Sequence, residues 1–137
     1  MIVRSGHWAI GNRLKEIVVS SQPEQLRGRT KAFALRVIRL YRSLPYKTDT
    51  QVLGKQLLRC GTSVAANYRA VCRARSKAEF IAKMGVVVEE ADEAILWLEL
   101  MTESGIISQA KTEALLKEAN ELTAIFAASQ RTARNAA

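Results

Sequence analysis

The 137-residue sequence predicts an all-α protein, an antiparallel up-down four-helix bundle with a poorly ordered N-terminal extension. Two observations carry this. Apolar residues recur at steps of three and four along successive segments, the period of helices with one buried face, and the segments are parted by short breaks at Pro45, Arg75-Ser76 and Gly105. No strand-like alternation follows residue 30. Short connections make consecutive helices antiparallel neighbours.

Residues 1–28 show no helical period. His7–Ile10 and Leu14–Val19 read as short extended pieces around a turn at Ile10-Gly11-Asn12-Arg13, and Pro23 and Gly28 punctuate a polar stretch. The chain therefore divides into an irregular extension, 1–28, and a bundle, 29–137.

The first helix is expected from about Thr30 to Leu44. Phe33, Val37, Leu40, Tyr41 and Leu44 form its apolar face, and Pro45 ends it. The second opens at Thr48, a candidate N-cap, with Asp49 at the positive end of the dipole, and runs to about Arg73. Its core stripe is Leu53, Leu57, Cys60, Val64, Tyr68 and Val71. A second stripe, Lys55, Arg59, Thr62, Ala66, Arg69 and Arg73, lies opposite. A third, mostly small, holds Gly54, Leu58, Gly61, Ala65 and Cys72. Glycine inside a helix costs about 0.5–1 kcal/mol relative to Ala, so Gly54 and Gly61 imply close packing of another helix.

The third helix starts with Ser76-Lys77-Ala78-Glu79, a capping box. Phe80, Met84, Val87, Ala91, Ile95 and Leu98 form its core stripe, and Gly105 ends it. The fourth begins near Ser108, with Leu115, Ala119, Leu122 and Phe126 inward and a fraying tail over 131–137. Val86, Leu96, Trp97 and Leu100 lie off the third helix's core stripe and adjoin one another. Together with Gly54, Leu58 and Gly61 they are expected to form a homo-oligomer seam rather than scattered surface apolars.

Lys and Arg outnumber Asp and Glu by 21 to 13, for a net charge of +8. The excess is uneven. Residues 1–47 carry ten cations against two carboxylates, whereas residues 76–107 carry two against seven. Such a split serves either a polyanion patch or complementary charges between subunits. No apolar run is long enough to span a bilayer, and His7, Asn12, Arg13, Lys15 and Glu16 break any signal-peptide core, so a cytoplasmic protein is expected. Cys60 and Cys72 stand about 18 Å apart on one helix, too far for a disulfide within it.

The residues that carry most chemistry are missing. His7 is the sole histidine, so Glu89, Glu90, Asp92 and Glu93 lack the partners of a di-iron bundle. There is no Walker-type phosphate loop. The cysteines fall on packing stripes without a nearby histidine. The sequence thus predicts neither an enzyme nor a bound metal or cofactor.

The stripe of Lys55, Arg59, Arg69 and Arg73 has one sign only. It is either a solvated face or a phosphate-binding face, with Arg36 and Arg39 of the first helix adding charge. Arg59 and Arg69 can alternatively be held by Glu89, Glu90 or Glu93.

The run Arg59-Cys60-Gly61-Thr62-Ser63-Val64-Ala65-Ala66-Asn67-Tyr68-Arg69, followed by Arg73-Ala74-Arg75-Ser76-Lys77-Ala78-Glu79-Phe80, resembles the four-helix-bundle proteins encoded in 23S rRNA intervening sequences. So does Glu89-Glu90-Ala91-Asp92-Glu93 leading into Trp97-Leu98-Glu99-Leu100. The resemblance covers Phe33 to Ile107 in order and the fourth helix more loosely. It departs at Ala70, where relatives carry Glu, and over residues 1–28. A related branch is the accessory variability protein of diversity-generating retroelements. That branch implies a homopentamer with a basic surface that binds nucleic acid and a reverse transcriptase.

Two function classes follow. In one, a basic homo-oligomer binds RNA or DNA through phosphates, with structured or duplex nucleic acid favoured because the stripe holds no aromatic to stack on single-stranded bases. In the other, the protein is an assembly or adaptor module whose cations pair with a protein partner's acids.

Overall fold

The computed structural model describes residues 22–136, which form four α-helices. These are α1 (Gln22–Arg42), α2 (Thr48–Val71), α3 (Lys77–Glu103) and α4 (Gln109–Asn135). Each packs on its chain neighbour and α1 also meets α4, which closes an all-α up-down bundle.

Helix α1 begins two turns before the expected start at Thr30. Pro23 sits in its first turn, where a missing N–H removes no helical bond, and Glu24 suits the positive end of the dipole. Leu26 is buried beneath it. The boundary drawn at residue 28 is therefore corrected: residues 22–28 are part of α1. The readings made for residues 1–21 lie outside the described residues.

The other ends follow local chemistry. Lys47, not Thr48, is the N-cap of α2, and no side chain caps it. The α2 helix stops at Val71 rather than Arg73. Ser76 Oγ accepts the Glu79 N–H at 3.0 Å as expected, but the Glu79 carboxylate accepts from Arg75 N–H at 2.8 Å, one residue earlier than a standard capping box. Gly105 takes a left-handed φ of 84° after α3 and donates to the Thr102 carbonyl. Helix α4 does not fray from Arg131; it continues to Asn135 with Ala133 buried. Its last turns are tied to the start of α3, because Lys77 donates to the Ala136 carbonyl and Gln130 Nε2 to the Ile81 carbonyl.

The core draws on all four helices, with Phe33, Val37, Leu57, Val64, Val87, Leu98, Leu122 and Phe126 essentially inaccessible. Tyr68 stacks on Phe126 with centroids 5.5 Å apart, and burial pushes its phenol pKa up. Leu53, Phe80 and Ile95 were expected inside but are half-buried; Ala94 and Met101 take the inner positions on α3.

The small stripe of α2 faces α1 of the same chain. A Cβ on Gly54 would lie 2.7 Å from Leu44 Cδ1, and one on Gly61 would lie 2.8 Å from Val37 Cγ2. Both glycines are covered within the subunit, and Leu58 is half-buried against the core. Assigning Gly54, Leu58 and Gly61 to an oligomer seam is thereby corrected. Helix α1 is the close neighbour the glycines were read to need.

Candidate nucleic-acid interface

The apolar period of α2 turns Leu57, Cys60 and Val64 inward, and the same period turns Lys55, Arg59, Arg69 and Arg73 outward. All four cations are exposed. They do not behave alike. Arg59 reaches across to α3, where its guanidinium meets Glu93 at 2.9 Å and Glu90 at 3.4 Å. The same group bonds Gln56 and lies 3.2 Å from Cys60 Sγ. Its charge is thus shared out within the subunit. Lys55, Arg69 and Arg73 enter no salt bridge among the described residues. Of the two arginines expected as candidates for carboxylate pairing, only Arg59 is paired.

Arg36 and Arg39 of α1 do not lie on the side of the helix that meets α2. Arg36 stands two turns after Arg29, hence on nearly the same flank of the helix, and Arg29 reaches α4. Val37, Tyr41 and Leu44 are the α1 side chains that face α2. Arg36 and Arg39, expected to add charge for nucleic acid, therefore stand apart from the α2 stripe by helical phase.

Arg29 itself was missed. It fell beside the supposed domain boundary, and no sequence pattern marks an ion pair spanning almost ninety positions. The structure gives it a two-pronged contact with Glu118, at 2.7 and 3.0 Å, and a third bond to Glu121 at 3.2 Å. The Glu118 bond is the first cause of its raised pKa.

Cys60 Sγ and the carboxylates of Glu90 and Glu93 gather their possible ligand atoms within 4.8 Å of one another. Arg59 already supplies the cation these atoms surround. The thiol is inaccessible, and burial pushes its pKa up to about 12 although the Arg59 charge acts to lower it. A protonated, buried thiol is a poor ligand and a poor nucleophile.

On α3, Val86 is 42 % exposed, Leu96 46 % and Leu100 40 %. Trp97 is half-buried beside them, and its Nε1 is buried without an acceptor among the described residues. Helical spacing sets Glu89 and Glu93 on this same flank. Leu35 and Val52 are also exposed and were not singled out, since each lies next to an inward residue in sequence. No helix among the described residues is long and apolar enough to cross a membrane.

The family model for the 23S rRNA-intervening sequence protein matches residues 25–128. No curated protein matches the chain. A crystal structure of a protein of unknown function from the S23 ribosomal protein family of Bacteroides thetaiotaomicron is similar at 30 % identity and a TM-score of 0.74, covering 80 % of this chain and 97 % of that one. With the bundle and the arginine–carboxylate link between α2 and α3 in place, the match over most of the described helices assigns the family: the chain belongs to the 23S rRNA-intervening sequence proteins.

Proposed function

We propose that this protein is a non-catalytic, homo-oligomeric bundle that binds structured RNA or DNA through phosphate contacts. One observation supports this most. Arg69 and Arg73 stand exposed on α2 with no carboxylate in salt-bridge range among the described residues, in a chain of net charge +8. Each cation that meets a phosphate releases condensed counterions, which is the main source of sequence-independent affinity. The family name adds an rRNA setting. The absence of an aromatic on the stripe favours duplex over single-stranded ligands. Two free thiols fit a reducing compartment such as the cytoplasm.

The oligomer seam is the apolar flank of α3, around Val86, Leu96 and Leu100. Glu89 on that flank complements the basic faces of a second copy. A pentamer and a reverse-transcriptase partner are what the retroelement resemblance adds.

The test is the salt dependence of binding to a short DNA duplex. The log–log slope should be about −0.9 per phosphate contact, and Arg69→Gln/Arg73→Gln should flatten it by about two such contacts. Circular dichroism checks that the variant is folded. Unchanged affinity and slope would leave the adaptor reading, in which the cations meet a protein partner.

A further inference from the structure

The charge of this bundle is distributed along its axis as well as around it. At one end α1 and α3 start while α2 and α4 finish. Lys77 bonds the Ala136 carbonyl there, and Cys72, just past α2, lies against Arg27 of α1, so α3 is tied to α4 and α2 to α1 at this end. Arg27 comes from α1, Arg69 and Arg73 from α2, Arg75 from the following turn, and Arg131 and Arg134 from α4. All six are exposed, and none is in a salt bridge among the described residues. Within residues 22–31, 69–83 and 131–136 the only carboxylates are Glu24 and Glu79. At the opposite end, Arg39, Arg42, Lys47 and Lys111 share the surface with Asp49, Glu103 and Glu113.

Helix dipoles account for part of this. Arg69 and Arg134 lie in last turns, where a cation offsets the carbonyl end. Arg75 stands just before α3, where a helix start favours anions, and Arg27 lies in the second turn of α1, beyond the reach of its dipole. Neither position is favoured by a helix end, so capping alone does not produce the cluster.

We infer that this end of the bundle, with arginines from α1, α2 and α4, is the phosphate-binding surface and that its ligand is a nucleic-acid duplex. The inference rests on the nucleic-acid reading above and moves its centre from the length of α2 to the tip. Two helices side by side make a face about 20 Å across. Such a face meets the phosphates on both sides of a groove about 6–12 Å wide. A single strand is held instead by an elongated channel with stacking aromatics. The conspicuously exposed aromatic among the described residues, Tyr46, sits at the opposite end.

Two triple variants separate the surfaces, both measured against a short DNA duplex and a single strand of equal length. Arg75→Gln/Arg131→Gln/Arg134→Gln empties part of the tip. Arg42→Gln/Lys47→Gln/Lys111→Gln removes the same charge from the opposite end. The tip triple should lose affinity at least tenfold and flatten the salt slope, and the other triple should stay within twofold of wild type. Equal losses from both, or a loss only from the second, would overturn the tip and leave the phosphate reading standing. Single-strand binding as tight as duplex binding would overturn the duplex. Wild type without salt-dependent binding to either probe would remove both readings together. Far-ultraviolet circular dichroism and the unfolding midpoint confirm that each variant is folded. A misfolded tip variant is replaced by Arg131→Lys/Arg134→Lys, which should keep affinity, and Arg131→Gln/Arg134→Gln, which should lose it.

Discussion

Val37 occupies the space that a side chain at Gly61 would need. A Cβ there would lie 2.8 and 2.9 Å from its two methyls and 3.1 Å from its Cβ. Val37 is inaccessible, and a β-branched side chain on a helix has one strongly preferred χ1, so it cannot turn aside. Gly61→Ala should therefore destabilise the bundle by about 1–3 kcal/mol despite the gain in helix propensity. Gly28 is the contrast: it lies inside α1, and nothing stands within 4 Å of its added Cβ. Gly28→Ala should stabilise by about 0.5–1 kcal/mol. Urea unfolding of both variants decides it, and equal signs would refute the packing account.

Arg29 and Glu118 join α1 to α4 across a seam smaller than any between chain neighbours. The contact is two-pronged but the arginine is one-third exposed, so its worth is limited by solvent. Arg29→Gln should lower stability by about 1 kcal/mol, a fall of about 3–5 °C in midpoint. Adding Glu118→Gln should cost little more, because the partner is already lost. Additive losses in this double-mutant cycle would show that the two residues act separately.

Cys60 is an acid whose folded pKa is pushed by burial up to about 12, above the ordinary thiol value of 9.0. The folded state thus holds the proton more tightly than the unfolded chain. This contribution is intact below pH 9 and fades as pH rises from 9 toward 12. Cys60→Ala should flatten the alkaline decline in stability, whatever its cost at pH 7. At pH 8, Cys72, which is half-buried, should react with a thiol reagent well before Cys60. Equal rates in the folded protein would contradict the burial.

The α3 flank predicts self-association. Wild type should sediment as a multiple of the chain mass, and Leu96→Lys/Leu100→Lys should shift it toward monomer. Trp97 lies beside both leucines, so its emission should move to the red in that variant. Monomeric wild type at micromolar concentration would remove the seam.

The helices were legible because burial imposes a period, and Leu57, Val64 and Phe126 are inside for the reason their spacing implies. The start of α1 was not, because Pro23 and Gly28 look like punctuation unless one knows that the proline occupies a first turn and the glycine faces open space. The α2 cation stripe was legible as a face, and pairing within it was legible only as a choice. Arg59 is the arginine whose phase lets it reach Glu90 and Glu93, and Arg69 is not. Gly54 and Gly61 correctly announced a close neighbour, but a small-residue stripe does not say whether that neighbour is the same chain. The clustering at the tip was invisible for a related reason. Arg27, Arg73 and Arg134 are far apart in sequence and meet only when antiparallel helices bring alternate ends together.

That axial imbalance of charge gives the molecule an electric dipole along its long direction. Near a polyanion the field exerts a torque, and rotation of a body this size is fast compared with its last approach. Screening confines the effect to about 8 Å at physiological salt, roughly the final nanometre of the encounter. If the tip is the phosphate-binding surface proposed above, that torque turns it forward before contact and raises the share of productive collisions. Two copies approaching tip to tip would repel, which fits the proposed seam on the α3 flank.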